Sequence, residues 1–103
     1  MKISIIIPCF NEEQTLEKIV KKVLKFQSFE KEIIIVDDCS TDRSGEIIDN
    51  LKTNFSEIKS LKHQKNLGKG AGIKSGVELS TGDIILIQDA DLEYNPEDYD
   101  NLL

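Results

Sequence analysis

Four short apolar runs, separated each time by a stretch of helical period, constrain this chain more than any other feature. Residues 2–7 are rich in isoleucine and end at Pro8, residues 33–36 read Ile-Ile-Ile-Val, and residues 83–88 carry Ile84 to Ile87. The first two, near-continuously apolar, suit strands buried on both faces, and the third reads as a further strand. Residues 58–63 are more mixed, which suits a strand nearer the sheet edge. Between the first two runs, Leu16, Ile19, Val20, Val23 and Leu24 recur at helical spacing, with Glu17, Lys18, Lys21 and Lys22 opposite them. Ile47, Ile48, Leu51 and Phe55 give a second helix its inner face. A third opens at Asn66-Leu67-Gly68-Lys69-Gly70, and its Gly72 and Gly76, four apart, leave one face open to close backbone approach. Asn95-Pro96 reads as a helix cap followed by proline at the first helical position.

Strict alternation predicts an α/β fold: a parallel, Rossmann-like sheet with right-handed crossovers and helices on both faces. At 103 residues, one domain spanning 1–103 is expected. Thirteen basic against nineteen acidic residues leave a net charge of −6, which argues against nucleic acid as a partner. A phosphorylated small ligand remains compatible with that charge only through a cation or local backbone dipoles. No apolar run approaches the ~20 residues of a membrane span. Met1-Lys2-Ile3-Ser4 lacks the pattern of a secretory leader, so a cytosolic location is expected. Cys9 and Cys39 lack zinc-site spacing and read as reduced, small filler residues.

Ligands of such sheets bind beyond the carboxyl ends of the strands, so the loops after the four runs carry the chemistry. Asp89-Ala90-Asp91 brings two carboxylates together directly after the fourth run. Their repulsion is relieved by a divalent cation, and Mg²⁺ commonly takes one or two carboxylates and completes its shell with phosphates and water. Taken alone, the tripeptide equally suits a solvated acidic turn; its place at the end of an apolar strand favours the metal-phosphate reading. Asp37-Asp38 ends the second run in the same way, and Asp37 is the expected contact to a base or ribose, with Asp38, Ser40 or Asp42 free to cap the next helix. Pro8, Phe10 and Glu12 would cup a planar base and hold a ribose, although a proline-ended strand with a buried Phe10 explains them as well. Lys69, at a glycine-rich helix start, suits an anion, but the segment matches neither a Walker A loop nor a dinucleotide fingerprint. His63, the single histidine, reads as a surface or capping residue, and no serine or cysteine has a recognisable base partner.

Taken in order, Ile-Pro-Cys-Phe-Asn-Glu-Glu, Val-Asp-Asp-Cys-Ser-Thr-Asp, Asn-Leu-Gly-Lys-Gly and Gln-Asp-Ala-Asp-Leu-Glu resemble family 2 glycosyltransferases, over essentially the whole chain. Within that family the chain is most similar to the dolichyl-phosphate mannose synthase and polyprenyl-phosphate sugar transferase group. The resemblance implies the nucleotide-binding half of a GT-A fold, a UDP- or GDP-sugar donor, and Mg²⁺ or Mn²⁺ held by Asp89 and Asp91. It implies Asp37 at the base, Pro8, Phe10 and Glu12 along the nucleoside pocket, and Lys69 near the donor. It also implies an inverting transfer, to a polyprenyl phosphate or a glycan, whose acceptor site and any catalytic base lie outside these residues; membrane association would come from those same regions. Glu93 departs from the pattern, which has Gln there.

Two other readings stand beside this one. Val36-Asp37-Asp38 is similar to the acidic metal pocket of a receiver-like signalling domain, but such a pocket needs its acidic pair on the first strand and a phosphoacceptor on the third. The second alternative is a truncated nucleotide-binding fragment without transfer activity, and for the isolated 103 residues no sugar transfer is expected.

Overall fold

The computed structural model describes residues 1–26 and 28–90. The expected helix after Asn95, together with Asp91 and Glu93, lies outside the described residues. Seven elements alternate as the periodicity requires: β1 (Lys2–Cys9), α1 (Leu16–Leu24), β2 (Glu30–Asp37), α2 (Ser44–Asn54), β3 (Ile58–Lys62), α3 (Lys69–Leu79) and β4 (Ile84–Ile87). The strands form one parallel sheet in the order β3-β2-β1-β4, with β3 at an edge as its mixed composition predicts.

That order fixes where the helices lie. From β1 to β3 the chain steps across the sheet in one direction, so right-handed crossovers put α1 and α2 on the same face. From β3 it returns past β1 to β4, and the reversed step puts α3 on the other face. Strand alternation follows suit. Ile3, Ile5, Ile7, Ile33 and Ile35 join Leu16, Ile19, Val20, Val23, Ile48 and Leu51 in one core, whereas Ile6, Ile34 and Val36 form a second, smaller cluster. Gly72 of α3 lies against Pro8 and Val36, and Gly76 lies against Ile6. All five apolar positions read for α1 are buried. Among those read for α2, Ile48 and Leu51 are buried, and Ile47 and Phe55 pack against the core half-covered.

Pro8 does not end β1, contrary to the expectation. Along β1 the carbonyls of Lys2 and Ile6 accept from Asp83 and Gln88 beside β4, while that of Cys9 accepts from Asp38 beside β2. Pro8 shares the parity of Lys2 and Ile6, so its missing N–H faces the β4 side, where pairing has already ended at Ile6 with Ile87. A proline costs no ladder bond there. β1 therefore pairs with β2 as far as Cys9 with Asp37.

At the amino ends of the strands Glu32 is 3% exposed, yet it accepts hydrogen bonds from Ser4 Oγ (2.6 Å), Lys59 Nζ (2.6 Å), and Thr81 through both N–H (2.6 Å) and Oγ1 (3.1 Å). This set ties the connection after α3 to β1 and β2, and it answers the requirement that a buried charge be paired. No helix among the described residues is long and apolar enough to cross a membrane.

Candidate functional site

The reversal of strand order falls between β1 and β4, and a crevice opens there at the carboxyl ends of the strands, as expected for a sheet of this kind. Its cavity measures about 260 Å³. Pro8, Phe10, Glu12, Lys69 and Asp89 all line it, so the structure brings together five of the residues singled out in the sequence. Cys9, Asp38, Gly68, Gly72 and Ala90 complete the wall.

Each is placed by its neighbours. Asn11 adopts φ 53° and turns its side chain towards the β2–α2 loop, where Oδ1 accepts from Thr41 N (2.8 Å) and Asp42 N (3.2 Å). In return, Ser40 Oγ and Ser44 Oγ accept from the backbone of Asn11 and Glu12. Thr15 Oγ1 donates to the carbonyl of Ala90, joining the start of α1 to the chain after β4. Phe10 is 43% exposed at the cavity, which removes the buried-phenylalanine explanation for it.

Asp37 does not reach this cavity. Its carboxylate accepts from Ser40 N (2.9 Å) and lines a separate hollow of about 110 Å³ with Gly45, Ile48 and Lys62, on the α2 side. The β2 carboxylate at the crevice is Asp38. Burial acts to raise its carboxyl, but hydrogen bonds from Leu67 N, His63 Nδ1 and Gly68 N outweigh that and hold it below the ordinary range. Asp38 thereby fixes the chain leading into α3, where Gly68 has φ 96°. Asp42, by contrast, accepts from Ser44 N (2.9 Å) at the start of α2, one residue before its N-cap position Arg43.

His63 is not at the surface. It is 8% exposed and bridges Asp38 Oδ1 (2.8 Å) and Ser75 Oγ (2.8 Å), clamping the inner face of α3 to the end of β2. Ser75 thus has a histidine partner that the sequence did not reveal. It does not line the cavity, however, and the arrangement is a brace rather than a nucleophile. Cys9 and Cys39 are free thiols, buried and half-buried respectively.

Asp89 is 8% exposed and faces Lys69, whose Nζ pairs with its Oδ1. The carboxylate is therefore already a seat for positive charge. Among the described residues no set of three or more His, Cys, Asp or Glu side chains converges. A divalent cation at Asp89 would take most of its shell from phosphate oxygens, water and residues beyond the described ones, which is how Mg²⁺ is commonly held. The first turn of α3 borders the same cavity through Lys69 and Gly72, and a helix N-terminus favours an anion.

Comparison with known proteins agrees with this fold. The dolichol-phosphate mannosyltransferase of Pyrococcus furiosus is 34% identical over 98 residues, which are 94% of this chain and 28% of that protein. The structure of S. aureus TarS residues 1–349 in complex with UDP-GlcNAc superposes with a TM-score of 0.83 at 27% identity, covering 99% of this chain and 30% of that one. The mannosyltransferase PcManGT of Pyrobaculum calidifontis, in complex with GDP-Man and Mn²⁺, shares the fold with a TM-score of 0.81 at 22% identity, over 86% of this chain and 27% of that one. The chain thus spans less than a third of the length of each. The family model for glycosyl transferase family 2 matches residues 4–103, and this chain, with its Rossmann-like parallel sheet of GT-A type, belongs to that family.

Proposed function

We propose that this chain is the donor-binding part of an inverting glycosyltransferase that takes a UDP- or GDP-sugar together with Mg²⁺ or Mn²⁺. The observation that carries the reading is the convergence of Phe10, Glu12, Lys69 and Asp89 on one cavity at the strand-order reversal. Phe10 offers an exposed ring to a planar base. Glu12 offers carboxylate oxygens to ribose hydroxyls. Asp38 accepts three hydrogen bonds within the protein, and a carboxylate has about four acceptor sites, so one is left for a base N–H. Lys69 and the first turn of α3 meet the diphosphate. Asp89, with Asp91 beyond the described residues, would hold the cation, which supplies charge stabilisation of the departing nucleoside diphosphate.

The two similar proteins in complex with UDP-GlcNAc and with GDP-Man and Mn²⁺ support a nucleotide-sugar donor and a divalent cation. The similar dolichol-phosphate mannosyltransferase supports a polyprenyl-phosphate acceptor, which as an anion needs little help from a base. On this reading the chain works in the cytosol against a membrane-borne acceptor. The receiver-like alternative loses its footing because Asp37 and Asp38 line different cavities.

Calorimetric titration of the chain with UDP and GDP, with and without Mn²⁺, tests the reading. Cation-dependent binding is expected, and Asp89→Ala should weaken it about tenfold or more, the scale of losing a charged ligand. Binding that ignores both the cation and Asp89 would refute it.

A further inference from the structure

Lys69 begins α3 and Asp89 follows β4, yet both line the cavity and the two meet there through Nζ and Oδ1. The partners differ in character. The Asp89 side chain is 11% exposed and set in the cavity wall, whereas the Lys69 side chain is 58% exposed on a flexible four-carbon stem. A lysine in the first turn of a helix opposes the helix dipole, so α3 itself does not favour its charge there. The countercharge it meets is the same carboxylate that the donor-site reading gives to a divalent cation.

We propose that Lys69 is an exchangeable counter-ion of Asp89: it occupies the carboxylate while no diphosphate is present and moves to the diphosphate when donor and cation enter. The inference rests on the donor-site reading and adds an order of binding to it. A cation approaching the closed pair meets a neutralised carboxylate and a repelling ammonium, so on its own it binds weakly. A nucleoside diphosphate supplies oxygens that accept from the ammonium and also ligate the cation, so its arrival frees Asp89. Nucleotide and cation then strengthen each other's binding by the same factor, as linkage requires.

The test is the affinity of the 103-residue chain for Mn²⁺ alone, followed by electron paramagnetic resonance, for UDP and GDP alone, and for both together. Lys69→Met keeps the stem and removes the charge. It should bind Mn²⁺ alone about three- to tenfold tighter, in keeping with the loss of a partly exposed ion pair and a like charge. It should bind nucleotide alone more weakly and show a smaller coupling factor, while Lys74→Met, at an exposed lysine of the same helix, changes none of these. These opposite signs separate exchange from a structural role, which would weaken both. Cation-dependent nucleotide binding with Mn²⁺ affinity unchanged or weakened in Lys69→Met would overturn the exchange and leave the donor site standing. Absence of cation-dependent nucleotide binding in both proteins would overturn the donor-site reading and the exchange with it.

Discussion

Burial pushes the Cys9 thiol up to about 11; a hydrogen bond from Ser44 works against this and the Asp37 charge works with it. At neutral pH it is protonated and unreactive. Iodoacetamide followed by mass spectrometry should therefore label Cys39 well before Cys9, and equal labelling of both in the folded chain would contradict the packing around β1. Asp37 and Asp38 carry the sharper lesson at this scale. Side chains alternate along a strand, so Asp37 keeps the parity of Ile33 and Ile35 and falls on the α2 side. Asp38 keeps the parity of Ile34 and Val36 and falls where α3 and the cavity lie. The sequence places both acids at the strand end, but not which face holds the cavity, because that depends on how the strands are ordered. Asp38→Asn should accordingly reduce UDP or GDP affinity by about ten- to a hundredfold, through lost charge-assisted bonds worth ~1.5–3 kcal/mol. Asp37→Asn should change it about twofold or less, and the reverse ranking in a binding titration would restore Asp37 as the base contact.

α1 was legible because its amphipathic stripe depends on local periodicity alone, and its inner face came out whole. α3 was legible for a different reason, the spacing of its glycines. A Cβ on Gly76 would stand 2.5 Å from Ile6 Cγ2, a branched methyl on a central strand that has little room to yield. Gly76→Ala should thus cost ~1–3 kcal/mol by overpacking, lowering the thermal midpoint by ~4–8 °C per kcal/mol in a domain near this size. A melting curve unchanged by that substitution would mean that α3 sits farther from the sheet. Other features of these elements needed the tertiary structure. Pro8 stays within β1 because β4 stops pairing two residues earlier, and His63 is buried because α3 brings Ser75 to it. Neither fact is written in local pattern.

Over the whole molecule, the sheet is held at its two ends by different chemistry. At the amino ends of the strands, burial tends to raise the Glu32 carboxyl, but hydrogen bonds from Lys59, Ser4 and Thr81 overcome this and bring it down to about 2 from an ordinary 4.5. A depressed carboxyl contributes its stability in full above the unfolded value and loses it as pH falls towards the folded one. The chain should therefore lose stability between about pH 4.5 and 2, with Asp38 and Asp42, also lowered, sharing in the loss. Glu32→Gln should be less stable at neutral pH and show a flatter decline across that window in chemical denaturation; an unchanged slope would show that the cluster does not hold the sheet. At the carboxyl ends the four loops are tied around the cavity, and the central claim is that a nucleotide and a cation meet there. Nuclear magnetic resonance of the chain with UDP or GDP and substoichiometric Mn²⁺ measures this directly. Paramagnetic broadening should be strongest at the amides of Gly68, Lys69, Asp89 and Ala90 and weakest at Thr81, Gly82 and Asp83, at the opposite end of the sheet. Broadening centred on Gly45 and Ile48 beside Asp37, or none that depends on nucleotide, would contradict it.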